Sequence, residues 1–317
     1  LKETCPVVAA HPLSGARIDL ESGDYRASIA SIGATLRVLQ FRARDLVVPF
    51  ELDEVRPAYR GATLAPWPNR VVDGRYTFAD VERQLALTEP SRSHALHGLA
   101  SWLDFAVTDR AVDRVSLTAV VEAQLGYPHR IELRVDYLLD SEGLHETVTA
   151  RNTGTTPAPY GTGPHPYLVA GPGRVDDWTL ELPAAEVLTV TPERLIPIAL
   201  SDVGVEDGGV FDFRTARPIS GTFIDHAFTG LQRDAGDRAT VSVTAASGDG
   251  VAMTFGPECD WVQVHTADTP EPSTHRIGLA VEPMTCPPDA FNSGLDLIVL
   301  GVGDSTTASW SIAAITA

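Results

Sequence analysis

Apolar and polar residues alternate along much of this chain, as in Ile131-Glu132-Leu133-Arg134-Val135-Asp136-Tyr137, Val115-Ser116-Leu117-Thr118-Ala119-Val120 and Ala239-Thr240-Val241-Ser242-Val243-Thr244. A period of two is that of a strand, whose successive side chains leave on opposite faces, so each segment is a half-buried strand rather than a helix. Turn signals separate them: Asp73-Gly74, Glu142-Gly143, Asn152-Thr153-Gly154, Gly171-Pro172-Gly173, Asp207-Gly208-Gly209 and Gly248-Asp249-Gly250. Short strands broken by frequent turns predict an all-β sandwich or barrel. The 23 prolines and 26 glycines are spread over the 317 residues. No linker, repeat or long helical period interrupts them, so a single antiparallel domain over residues 1–317 is expected. The stretch 193–209 lacks periodicity and reads as a long excursion between strands with room for a short helix.

Composition excludes several functions. The net charge of −18 argues against nucleic acid and anionic membranes as partners, since both require a basic patch. No run approaches the roughly 18 apolar residues of a membrane-spanning helix, and the first residues do not resemble a secretory leader. The expected location is cytoplasmic, although the start at Leu1 leaves room for a leader already removed. Lys2 is the only lysine, which removes Schiff-base chemistry on a buried amine. Cys5, Cys259 and Cys286 form no CxxC pair and are too few for a disulfide framework, and Cys286 reads as a buried inert thiol.

Two segments carry the chemistry. Gly163-Pro164-His165-Pro166-Tyr167 holds a histidine between prolines, and Val281-Glu282-Pro283 ends the apolar run Ile277-Gly278-Leu279-Ala280-Val281 with a carboxylate. Imidazole and carboxylate are the side chains best suited to moving protons near neutral pH, and the prolines restrict the histidine's backbone. Of the nine histidines, His94 and His97 lie three apart but without an HExxH or matching carboxylate pattern, so no metal is expected. No GxGxxG, P-loop or GxSxG motif is present, and the chemistry is expected to need no cofactor.

A family pattern now becomes visible. Pro66-Trp67-Pro68-Asn69-Arg70, Leu96-His97-Gly98, His165-Pro166-Tyr167, Phe223-Ile224-Asp225-His226, Val262-Gln263-Val264-His265-Thr266, and Glu282 with Pro288-Asp289-Ala290-Phe291-Asn292 occur in the order seen in aldose 1-epimerases. Over nearly its whole length the chain resembles this galactose mutarotase family. The resemblance implies an antiparallel β-supersandwich with a sugar cleft. It also implies an isomerase that interconverts the α and β anomers of a hexopyranose, with Glu282 as base and His165 as acid. The same similarity assigns Asn69, Arg70, His97, Asp225 and Gln263 to sugar hydroxyls and puts Tyr167 beside the acid. Trp67, Trp102 and Trp261 are candidates for an apolar wall under the ring, with core packing at least as strong a reading for each.

The match has departures. His97-Gly98 runs into Leu99-Ala100-Ser101-Trp102 where a second glycine is common, and Glu282 precedes Pro283-Met284 where many members carry a polar residue. These variations are similar to a bacterial branch that includes sulfoquinovose mutarotases. The preferred sugar therefore stays open among neutral, phosphorylated and sulfonated hexoses, with Arg70, Arg75, Arg92 and Arg276 as candidate contacts for an anionic group. A non-catalytic sugar-binding protein on the same fold is the remaining alternative, and the sequence carries no sign of oligomeric state.

Overall fold

In the computed structural model, which describes residues 11–317, alternation translates directly into sheet. Along Ile131–Asp140 the side chains of Ile131, Leu133, Val135, Tyr137 and Leu139 are buried, while Glu132, Arg134 and Leu138 face solvent. A one-residue slip against its neighbours would exchange the two sets, so the pattern fixes the register. With roughly 1.5–3 kcal/mol gained per large apolar side chain buried, those five residues outweigh any competing pairing.

Two antiparallel sheets dominate. The larger has nine strands, with Gly143–Asn152 and Ser305–Ile315 at its centre. The smaller runs in the spatial order Tyr167–Leu168, Leu279–Met284, Trp261–His265, Asp225–Leu231, Ala184–Val190 and Pro197–Asp202. A four-stranded sheet begins the described chain at Arg17–Ser22. The one α-helix among the described residues is the single turn Ala290–Ser293. The architecture is therefore essentially all-β, as the alternation implied, and no helix is long and apolar enough to cross a membrane.

The expected excursion at 193–209 is only partly one. Glu206–Gly209 forms a short 3₁₀ turn, but Pro197–Asp202 is a strand paired with Ala184–Val190 along the edge of the six-stranded sheet. Ile198, Ala199 and Leu200 are all exposed, so no alternation betrays the strand, which is held by backbone pairing on one side alone.

Candidate active site

The six-stranded sheet presents one row of polar side chains. In Leu279–Met284 every residue is buried, Glu282 included. Glu282 lies within this strand and not at its end, directly opposite Gln263. His265, two residues on from Gln263, stands opposite Asp225, so period two brings Gln263 and His265 to one face. Tyr167 joins from the neighbouring strand, paired with Ala280.

The facing wall consists of loops with left-handed backbone. Asn69 has φ 54° and His97 φ 60°. Their main chains are tied by the His97 amide donating to the Asn69 carbonyl at 2.8 Å, and the Asn69 amide donates to His97 Nδ1 at 3.2 Å. Gly98 follows at φ 71°, where a Cβ would lie 2.2 Å from the Ala65 carbonyl oxygen. Only glycine meets both demands.

His165 sits where the two walls meet. Pro164, before it, pairs with Thr63, and Tyr167, after it, pairs into the six-stranded sheet. The His165 amide donates to the Ala62 carbonyl at 3.1 Å, and its carbonyl accepts from the Gly61 amide at 2.8 Å. The backbone clamp reinforces the stiffness set by the flanking prolines, so the ring starts from a fixed base.

The result is a cavity of about 320 Å³ lined by Asn69, Arg70, His97, His165, Tyr167, Asp225, Gln263 and Glu282, small within the range of small-molecule sites. All eight residues singled out from sequence meet here. His165 Nε2 lies 3.4 Å from Glu282 Oε1. The His165 ring stacks on Tyr167 at 5.2 Å between centroids and meets His97 edge-on at 4.9 Å. Gln263 Nε2 donates to Asp225 Oδ1 at 2.7 Å, and Arg70 approaches the same carboxylate at 3.9 Å.

Other residues named from sequence are placed differently. No tryptophan lines the cavity. Trp67 packs in the core against Tyr127 and Phe291, Trp261 is buried with its indole donating to Asp296, and Trp102 lies under Arg56 and beside Tyr59. The aromatic wall is instead Tyr59 and Tyr167. Of the candidate arginines, Arg70 and Arg92 reach the cavity, whereas Arg75 is bound to Gln84 and buried Arg276 to Asp176 and Asp268. His94 is turned away, its Nε2 against the Arg194 carbonyl. Cys286 is buried with its thiol pushed up to about 12 by desolvation, and Cys5 lies outside the described residues. Tyr59, Glu89 and Asp268 line the cavity without having been signalled by any motif, and His265 lines it from within the motif at 262–266, where no role was assigned to it.

Burial governs the electrostatics. It pushes the Glu282 carboxyl well above its ordinary range, with Asp225 adding to the rise and Arg70 opposing it. It pulls His165 down to about 3, helped by His265, and lowers His97 as well. Desolvation disfavours whichever form is charged, so burial biases the empty pair towards carboxylic acid and neutral imidazole. His97 is also fixed in tautomer: Nδ1 accepts from the Asn69 amide, so the ring proton of the neutral form is on Nε2.

That tautomer bears on a metal. Ligand atoms of His97, His165 and Glu282 lie within 4.8 Å of one another, a spacing a cation could draw together. A protonated Nε2 offers a metal no lone pair, however, and moving the proton to Nδ1 would set it against the Asn69 amide. The donor set suits hydrogen bonding better than coordination.

One further feature is a set of unsatisfied polar groups. Five of the twelve buried side-chain atoms left without a hydrogen-bond partner among the described residues belong to this cavity: Arg92 Nε, His165 Nδ1, Gln263 Oε1, His265 Nδ1 and Glu282 Oε2. Such groups cost about 1–3 kcal/mol each unless something satisfies them.

The aldose 1-epimerase family profile matches residues 16–313. The chain belongs to the aldose 1-epimerase family. It is 36% identical over 304 residues to the Escherichia coli K12 protein YihR, spanning 96% of this chain and 94% of that one. Galactose mutarotase of Sus scrofa is 29% identical over 211 residues, 62% of this chain and 60% of its own. The crystal structure of an aldose epimerase homologue from C. elegans superposes with a TM-score of 0.81 at 20% identity, covering 95% of this chain and 99% of that one. This family member therefore shares the galactose-mutarotase-like β-supersandwich.

Proposed function

We propose that this protein is a mutarotase that interconverts the anomers of a hexopyranose, with Glu282 as base and His165 as acid and no cofactor. The observation that carries the reading is the buried pair, 3.4 Å apart, facing a cavity of unpartnered polar atoms. Glu282 removes the proton of the C1 hydroxyl while His165 protonates the ring oxygen. The bond between C1 and the ring oxygen breaks, C1 becomes an aldehyde, rotation about C1–C2 turns its other face, and the two transfers reverse.

The bookkeeping requires one proton on the pair throughout. In the closed sugar it resides on His165 opposite a carboxylate, and in the open aldehyde on Glu282 opposite a neutral ring. Burial favours the second arrangement, which is the one that accompanies ring opening. Arg70, His97, Asn69, Asp225 and Gln263 hold the hydroxyls, and Tyr167 keeps the acid in plane.

A neutral sugar is supported by the charge balance of the wall. Arg70 and Arg92 are bound to Glu89, and Asp268 to Arg276, so among the described residues no arginine lining the cavity is without an ion pair. A second reading, a hexose bearing phosphate or sulfonate, is favoured by one residue. Arg60 lies 5.8 Å over the Tyr167 ring with a buried, unpartnered Nε and no ion pair among the described residues. Polarimetry of freshly dissolved α-D-glucose, α-D-galactose and a 6-phosphorylated or 6-sulfonated hexose separates the two. Acceleration should fall by roughly 10²–10⁴-fold in Glu282→Gln and His165→Asn, with the fold retained. No acceleration of any of them by folded wild type would overturn the enzyme reading, and saturable binding alone would leave a sugar-binding protein.

A further inference from the structure

Arg70 is the cavity's principal cation, and its orientation is set by a residue outside the motifs. Glu89 Oε2 accepts from Arg70 Nε at 2.8 Å and Oε1 from Arg70 Nη2 at 3.1 Å. The same Oε1 accepts from Arg92 Nη1 at 2.8 Å. Glu89 is itself anchored: its amide donates to the His94 carbonyl at 3.0 Å, and its carbonyl accepts from the His94 amide at 3.2 Å. Burial alone would push its carboxyl up, but the hydrogen bonds and charges of Arg70 and then Arg92 outweigh that and hold it below its ordinary value. It is therefore ionised at neutral pH.

A guanidinium has five donors in a rigid plane. Glu89 occupies the edge formed by Nε and Nη2. Nη1 reaches Asn69 Oδ1 at only 3.4 Å, and Asp225 stands 3.9 Å from Nη2. The outer edge, Nη1 with the second Nη2 hydrogen, thus remains available to the cavity. Without Glu89 the nearest carboxylate to attract Arg70 is Asp225, and that attraction would turn the outer edge away from a ligand.

We propose that Glu89 is a positioning residue, which aims Arg70 at the substrate hydroxyls and keeps Arg92 at the cavity wall. The inference rests on the sugar reading above. It is tested by KM and kcat for mutarotation, with sugar Kd by calorimetry, in Glu89→Gln, Glu89→Asp, Arg70→Gln and the Arg70→Gln/Glu89→Gln double variant. Glu89→Gln should raise KM and Kd about tenfold while kcat falls no more than about threefold, the tenfold change being about 1.4 kcal/mol of binding. Glu89→Asp should lie between it and wild type. In the Arg70→Gln background the Glu89 substitution should add less than twofold, because its route of action is already gone.

A separate signature is charge: Glu89→Gln leaves the wall one unit more positive, so the KM ratio of glucose 6-phosphate to glucose should drop. A rise in KM and Kd for the neutral sugar of equal size in both backgrounds, or unchanged KM, would overturn the proposal. If Glu89→Gln loses its cooperative thermal transition, Glu89→Asp decides by the same criterion. A wild type that neither accelerates nor binds any sugar would defeat the functional reading itself, a result visible before any variant is made.

Discussion

Glu146 is expected to make this protein less stable as pH rises, and Glu146→Gln should remove that dependence. The residue is buried in the nine-stranded sheet, where Trp310 Nε1 donates to Oε2 at 2.9 Å and Oε1 finds no partner. Desolvation pushes its carboxyl from 4.5 up to about 7. The sign follows from linkage: between those two values the folded protein keeps a proton that the unfolded chain releases, so stability falls with rising pH at about 1.4 kcal/mol per unit. Below the lower value both states are protonated, and above the upper one both are ionised. Integrated from pH 5 to pH 8.5, the loss is about 3 kcal/mol. Glutamine preserves the size and the acceptor for Trp310 but cannot ionise. Urea unfolding of wild type and variant at both pH values, read as the difference between the proteins, cancels the pH dependence of the other acidic groups. The variant should gain about 3 kcal/mol on wild type from the acid to the alkaline end. A difference that stays constant across the range would refute the reasoning, since it would mean that Glu146 is ionised in the folded state throughout.

Other consequences can be checked as directly. The pH profile of kcat/KM, corrected for uncatalysed mutarotation, should show no acid limb near 6.5, the ordinary imidazole value. The second proton reaches the pair only near the lowered His165 value of about 3. An acid limb centred on 6.5 would contradict this. Gly98→Ala should cost roughly 1–3 kcal/mol in thermal unfolding and reduce activity, because its φ of 71° and the Ala65 carbonyl 2.2 Å from the new Cβ force His97 to move. Cys259 and Cys286, both buried and raised in pKa, should stay unmodified by iodoacetamide in the native protein and react on unfolding, as read by peptide mass spectrometry.

What the sequence disclosed and withheld follows from physics. Strands such as Ile131–Asp140 were legible because one face is core and the other is solvent, and Pro197–Asp202 was not, because an edge strand with exposed Ile198, Ala199 and Leu200 carries no such contrast. His165, Glu282 and the six associated residues were legible through motifs in register, and the fold brings all eight to one cavity. The tryptophans stayed open because a large aromatic side chain serves a core as readily as a cleft. Glu89 stood in no motif. Its proximity to Arg70 arises from pairing between Arg70–Val72 and His94–Leu96 together with the bridge from Glu89 to His94, a tertiary arrangement with no local signature.

The charge of the chain and the charge of its cavity are separate matters. A protein of net charge −18 repels anions at long range, yet near the cavity Arg70 and Arg92 are set against Glu89 and Asp225, and Asp268 against Arg276. The negative excess therefore lies elsewhere on the molecule, and burial biases the one remaining carboxyl of the lining, Glu282, towards its uncharged form. A polyhydroxylated neutral molecule enters such a cavity without having to overcome repulsion. An anionic sugar would have to approach against the overall field and then find its cation at Arg60, beyond the Tyr167 ring. Arg60 is thus the position at which the two substrate readings part.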